Sequence, residues 1–204
     1  MVKYIAHRQN KLVALNRLKN SFFGVELDLR SSSKNIVIHH DPFKKGLDFF
    51  KNYNLLKNFF LLVDVKSSGI CFKICNFLKK KNVEFLLLNL NYPELIEMIN
   101  RGFAKNLFLR ISLFEKLDLS KKKINQIKWV WVDFFESHKI SLKEYSYLKK
   151  NKKKICLTSP DLVGLKEGSI RKYIKYLNKN KIKIDMVCVK QKNVKVWKKF
   201  YKYQ

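Results

Sequence analysis

Carboxylates are scarce in this 204-residue sequence, 16 Asp and Glu against 44 Lys and Arg, so the places where they gather carry information. Two stand in Gly24-Val25-Glu26-Leu27-Asp28-Leu29-Arg30. The alternation predicts a strand with Val25, Leu27 and Leu29 on one face and Glu26, Asp28 and Arg30 on the other. Carboxylates among apolar neighbours are costly to bury unless a cation meets them. A divalent metal is the simplest such partner, because hard cations take oxygen ligands. An edge strand with a wet polar face is the plainer reading of the same pattern. Asp64-Val65-Lys66 offers a third carboxylate with a cation, while His7-Arg8 and His39-His40-Asp41 add imidazoles. Histidine exchanges protons near neutral pH.

These groups sit at the ends of apolar runs. Tyr4–Ala6 reads as a strand ending at His7-Arg8, and Val25–Leu29 as the second strand. Ser31–Asn35 is a turn into a short excursion, Ile36–His40, closed by Pro42. Leu47–Leu56 is a helix candidate, and Phe59–Lys66 is apolar on both faces until its end, the mark of a buried parallel strand. A helical stripe (Ile70, Cys71, Ile74, Cys75, Leu78) leads to a strand over Phe85–Leu88, and Pro93 opens the next helix. Strands over Leu107–Leu109, Trp129–Val132, Ile155–Leu157 and Met186–Val189 follow. Between and after them come helices over Leu142–Leu148, from a Ser169 cap, and over Val194–Phe200.

About eight strand-then-helix units in series predict an α/β fold, a (β/α)8 TIM barrel, as a compact single domain over residues 1–204. That length is at the small end for this fold, about 200 residues. An open doubly wound sheet would need a crevice-forming turn such as GxGxxG, which the sequence lacks. In a barrel, chemistry gathers at the C-terminal ends of the strands. Those ends carry His7, Arg8, Glu26, Asp28, Asp64, Lys66, Asn89, Arg110, Asp133, Ser159 and Lys190. Trp129 and Trp131 read as barrel core rather than a stacking platform.

The net charge of +28 points either to an anionic partner, nucleic acid or a membrane surface, or to AT-rich coding that over-uses Lys, Asn, Ile and Phe together. The cations are mostly Lys scattered along the chain, which argues against a specific nucleic-acid footprint and leaves peripheral contact with an anionic membrane open. The longest apolar run, Phe59–Val63, is far short of a membrane span, and the start of the chain enters a strand without a targeting pattern. Cys71, Cys75, Cys156 and Cys188 lack metal or redox spacing and read as buried thiols of a reducing, cytoplasmic compartment. Nothing in the sequence sets the oligomeric state.

Taken in order, His7-Arg8, Glu26-x-Asp28, His40-Asp41 and Asp64-x-Lys66 resemble the glycerophosphodiester phosphodiesterase family, which shares a barrel superfamily with phosphatidylinositol-specific phospholipase C. The motifs cover the first third of the chain, and the rest matches through its strand–helix rhythm. The resemblance implies a metal-dependent enzyme hydrolysing a small-molecule glycerophosphodiester to glycerol 3-phosphate and an alcohol. It implies His7 and His40 as the acid–base pair, and strand alternation, which turns His39 the opposite way, makes that residue only a neighbour. Glu26, Asp28 and Asp64 become ligands of Mg2+ or Ca2+, and Arg8 and Lys66 meet the phosphate. The sequence also departs from the family. Gln9 stands where Gly usually follows His-Arg, and Asp64 where Glu is usual. No acidic residue lies between Arg8 and Glu26, leaving Asn16 as the nearest remnant of a Glu-Asn pair. The late aromatic-Thr and Thr-Asp-x-Pro signatures are absent. These gaps support a second reading, a degenerate barrel that binds a phosphorylated ligand or anionic lipid without turnover.

Overall fold

The computed structural model describes residues 1–18 and 21–203, with only the backbone of residues 14 and 16. Its strands are β1 (Lys3–Ala6), β2 (Gly24–Ser32), β3 (Asn35–Ile38), β4 (Leu47–Asp48), β5 (Phe60–Val65), β6 (Phe85–Leu88), β7 (Phe108–Ile111), β8 (Trp129–Val132), β9 (Lys154–Thr158) and β10 (Met186–Val189). The helices are α1 (Phe49–Asn52), α2 (Cys71–Lys80), α3 (Tyr92–Asn100), α4 (Lys122–Asn125), α5 (Leu142–Lys150), α6 (Glu167–Lys179) and α7 (Val194–Phe200).

Eight strands run parallel around a circuit. β1 pairs with β2, β2 with β5 and β5 with β6; β7 pairs with β8, β8 with β9, β9 with β10, and β10 returns to β1. One parallel bridge, Leu87 to Leu107, joins β6 to the entrance of β7 and completes the ring. The chain is an α/β protein of the (β/α)8 barrel type. β3 and β4 lie outside the circuit, as antiparallel additions to the projecting end of β2, with Leu29 opposite Ile38 and Ser32 opposite Asn35.

Strand alternation sorts the apolar residues into two layers. Ile5, Leu62, Leu86, Leu88, Phe108, Trp131, Cys156, Met186 and Cys188 form one buried cluster without any helical residue, which is the barrel lumen. Their neighbours of opposite parity, such as Val25, Leu27, Leu61, Val63, Val130 and Val187, pack outward with Ile74, Leu78, Ile170 and Trp197 of the surrounding helices. Both layers are dry, so the strands read as continuous apolar runs. Trp131 is lumen core, and all four cysteines are buried free thiols. Among the described residues, no helix is long and apolar enough to cross a membrane.

Two sequence expectations are corrected. The helix over Leu47–Leu56 is instead the two-residue β4, the single turn α1 and a 3-10 turn over Tyr53–Leu55. Leu47 pairs with Ile38, and the Asp48 side chain accepts from Lys51 N at 2.9 Å, so the sheet claims the first residues before a longer helix can form. The helix expected from a Ser169 cap begins three residues earlier, at Glu167 with Lys166 as its cap, and Glu167 pairs with Arg171 one turn on.

Gly24 opens β2 opposite Phe60, and a Cβ there would collide with the Phe60 carbonyl oxygen and Cβ. Only glycine lets β2 approach β5 this closely. Gly24→Ala is expected to lower the free energy of urea unfolding by about 1–3 kcal/mol, the usual range for overpacking. An unchanged urea midpoint would mean that the two strands are further apart than described.

Candidate active site

Strand register brings the three carboxylates together. In the parallel β2–β5 pair, Glu26 is level with Leu62 and Asp28 with Asp64. Paired residues share a face, and Leu62 faces the lumen, so Glu26, Asp28 and Asp64 all occupy the lumen side above the apolar plug. Each is buried, and one oxygen from each lies within 4.8 Å of the others.

Their partners come from the loop after β1 and from the residues that directly follow β5 and β6. The backbone N–H of Arg8 donates to Glu26 Oε2 at 2.5 Å, and His7 Nε2 lies 3.7 Å from the same oxygen. Arg8 adopts a left-handed φ of 50°, an uncommon conformation for a side chain of its size. Its Nε stands 3.8 Å from Asp28 Oδ2. Asn10 faces Asp28 with both ends of its amide, Nδ2 donating to Oδ2 at 2.6 Å and Oδ1 accepting from the Asp28 N–H at 3.0 Å. Lys66 Nζ bridges Asp64 Oδ2 at 2.6 Å and Asp28 Oδ1 at 3.3 Å. Asn89, also left-handed with φ 64°, donates to Asp64 Oδ1 at 2.8 Å and accepts from Arg110 Nη1 at 2.8 Å.

The electrostatics follow from this crowding. Burial raises the Glu26 pKa to about 8, with Asp28 and Asp64 adding to the rise, against the Arg8 N–H and Lys66, which lower it. Burial also pushes His7 down to about 4, with the Arg8 charge contributing and Asp28 opposing. At neutral pH His7 is therefore uncharged, and its approach to Glu26 is not an ion pair. Burial works against the charge on Lys66, but Asp64 and Asp28 outweigh it and raise the lysine. The donor set suits a hard cation. Oxygens bonded to one ion at about 2.0–2.6 Å stand no more than roughly 5 Å apart, which the trio satisfies, and Asn10, Asn89 and the Arg8 amide already orient the carboxylates.

The histidines of the excursion occupy the rim. The His39 amide donates to the Asp28 carbonyl at 3.0 Å, and its Nδ1 accepts from the Asp41 N–H at 3.0 Å, so this ring closes a turn. His40 is half-exposed, and its Nδ1 meets Asp41 Oδ1 at 2.8 Å, which leaves Nε2 for other partners. Of the other strand-end residues, Arg110 pairs with Glu115. Asp133 accepts from Trp131 Nε1 and the Phe134 N–H, and Ser159 Oγ accepts from Trp197 Nε1 at 2.9 Å. These contacts occupy them structurally. The side chain of Asn16 lies outside what is described.

Sequence reasoning missed Asn10, in a loop, and Asp161, in a short 3-10 turn over Pro160–Val163, neither of which carries periodicity. Asp161 is buried, with Oδ2 accepting from Asn193 Nδ2 at 2.7 Å and the Lys190 N–H at 3.1 Å. Among the described residues, its Oδ1 and the nearby strand-end Thr158 Oγ1 are buried without a hydrogen-bond partner. Asp161 raises and Lys190 lowers the His7 pKa, so both lie within electrostatic range of that ring.

No family model matches the chain. Over 139 residues it is 31% identical to the flagellar motor switch protein FliG of Buchnera aphidicola subsp. Acyrthosiphon pisum (strain APS), spanning 68% of this chain but only 38% of that protein. Solved structures give a broader match. A glycerophosphoryl diester phosphodiesterase from Parabacteroides distasonis ATCC 8503 superposes on 100% of this chain and 88% of its own, with TM-score 0.72 and 10% identity. A glycerophosphodiester phosphodiesterase from Agrobacterium tumefaciens str. C58 covers 95% of this chain and 99% of its own, with TM-score 0.66 and 11% identity. An Oleispira antarctica phosphodiesterase, solved with the product sn-glycerol-3-phosphate, covers 96% and 95%, with TM-score 0.65 and 14% identity. The likeness is one of fold.

In chelator, the folded protein holds the Glu26 proton up to about pH 8, whereas an unfolded chain releases it near 4.5, its ordinary value. Between those values the folded state binds more protons, so its stability falls as pH rises. The urea midpoint of the metal-free protein should decrease from about pH 5 to pH 8, and Glu26→Gln should flatten that part of the profile. A flat profile in the parent protein would show that the trio is not crowded.

Proposed function

We propose that this barrel is a metal-dependent phosphodiesterase acting on a small glycerophosphodiester. The observation that carries the reading is the buried trio Glu26, Asp28 and Asp64 at the C-terminal mouth, ringed by His7, Arg8 and Lys66. The fold shared with three phosphodiesterases supports it. The trio would hold Mg2+ or Ca2+, which supplies polarisation of the phosphoryl oxygens when bound.

The chain's own residues do the rest. Arg8 and Lys66 place positive charge where charge develops on the phosphoryl oxygens. His7, beside the carboxylates, takes the proton of the glycerol hydroxyl as that oxygen attacks phosphorus. His40, held by Asp41 through Nδ1, gives a proton to the departing alcohol oxygen. With the roles reversed, a water proton goes to His40, the water oxygen bonds phosphorus, and the ring P–O bond of the cyclic phosphate breaks to leave glycerol 3-phosphate. His39 keeps the turn that presents its neighbour. The Lys-rich surface extends the proposal to peripheral contact with an anionic membrane in the cytoplasm. Phe43 and Phe114 stand fully or largely exposed on loops beside the mouth, where apolar side chains among lysines suit a bilayer interface. The binding-only reading draws on the absence of an acidic residue between Arg8 and Glu26, where Asn10 now meets Asp28.

A screen of glycerophosphodiesters with Mg2+ and Ca2+ tests the proposal. His7→Ala and His40→Ala should each lower kcat by about a hundredfold or more with the fold intact by circular dichroism, while His39→Ala does much less. Metal binding with no turnover of any diester would favour the binding-only barrel. A dispensable His40 beside an essential His39 would reverse the roles given to the two rings.

A further inference from the structure

Cationic side chains at the mouth extend past the carboxylate trio. Arginine is rare in this chain, six residues in all, yet Arg8, Arg30 and Arg110 stand at or just past the mouth ends of strands. Arg30 follows Asp28 on the same face of β2, about 7 Å further along at the strand rise. Its Nε donates to the His40 carbonyl at 2.8 Å and its Nη1 to the Lys66 carbonyl at 3.2 Å. The guanidinium thus ties together the segment bearing the leaving-group acid and the segment bearing the phosphate-binding lysine, and these bonds do not use Nη2.

Arg30 also forms one wall of a cavity of about 510 Å³, lined further by Ser32, Ser33, Lys44, Lys45 and Ser67. The Ser67 hydroxyl accepts from the Ser31 N–H at 3.2 Å and keeps its own proton to donate. The carboxylate on this wall, Asp41, is engaged by His40. Lysines are so common here that Lys44 and Lys45 alone would mean little. Combined with a guanidinium fixed by two carbonyls and with hydroxyl donors, they make a cavity with the chemistry of an anion site. It opens beside His40, where the departing alcohol must lie.

We propose that this cavity receives a second anionic group, a phosphomonoester or carboxylate borne by the leaving alcohol. The preferred substrate is then a glycerophosphodiester whose alcohol is itself anionic. This assignment rests on the phosphodiesterase reading above.

A matched pair of water-soluble diesters, with glycerol or glycerol phosphate as the leaving alcohol, tests it. The phosphorylated diester should show a KM at least about tenfold lower at low salt, the scale of one charge-assisted hydrogen bond. Lys44 and Lys45 are exposed, so the K44A/K45A variant should fold normally. It should erase the difference while leaving kcat/KM for the neutral diester unchanged. Equal KM values in the parent protein, or a preference that survives K44A/K45A, would overturn the assignment. If neither diester is turned over, the phosphodiesterase reading fails, and the cavity is tested by itself. Methyl phosphate is then titrated into chelator-treated protein and followed by amide NMR shifts. Binding that is lost in K44A/K45A but kept in Asp28→Asn sustains the anion site. Absent binding, or binding indifferent to Lys44 and Lys45, removes it.

Discussion

Three carboxylates packed within 4.8 Å of one another in a nearly dry barrel mouth are the constraint around which this structure is built. Burial, with the repulsion of Asp28 and Asp64 added to it, keeps a proton on Glu26 up to about pH 8. Lys66 relieves part of it by bridging Asp28 and Asp64, and Asn10, Asn89 and the Arg8 amide take up individual oxygens. A fold does not assemble such a group for stability, since an apolar trio would pack at lower cost. Under the proposed function, a cation held by the trio would complete the balance.

The barrel supplies what the trio needs. Register in the β2–β5 pair fixes Asp28 level with Asp64, and Gly24 lets those strands meet closely enough to hold that register. The lumen plug of Leu62, Leu88, Phe108, Trp131 and Cys188 closes the floor beneath the carboxylates, which keeps water out and strengthens every charge interaction above it. The antiparallel addition of β3 and β4 then brings His40 back to the rim, at the level where His39 bonds the Asp28 carbonyl. The proposed attack and departure on two sides of one phosphorus would use both features: a rigid ring carrying the carboxylates and an arm reaching across its edge.

Much of the architecture was legible from residue pattern. The strands announced themselves because both faces of each are buried, and the alternation of Val25, Leu27 and Leu29 with Glu26 and Asp28 placed the carboxylates on one face. The segment after Gly46 was less readable. Leu47, Phe49, Phe50 and Tyr53 suit a helix locally, but pairing of Leu47 with Ile38 took the first turn for the sheet. The start of α6 was also hidden, because Glu167, Gly168 and Ser169 form a first turn with no apolar signal and no side-chain cap. Asn10 and Asp161 could not be read at all. Their roles arise from a loop and a single 3-10 turn, segments too short or irregular to leave periodicity in sequence. Arg30 lay in plain view on the carboxylate face, but only the structure shows that it joins His40 to Lys66.

Calorimetric titration of Mg2+ and of Ca2+ into chelator-cleared protein addresses the ion directly. The proposed metal site should bind one ion per chain, with binding lost in Asp28→Asn, which deletes a charge at nearly constant shape. No binding of either ion, or unchanged binding in a triple Glu26→Gln, Asp28→Asn, Asp64→Asn variant, would contradict it.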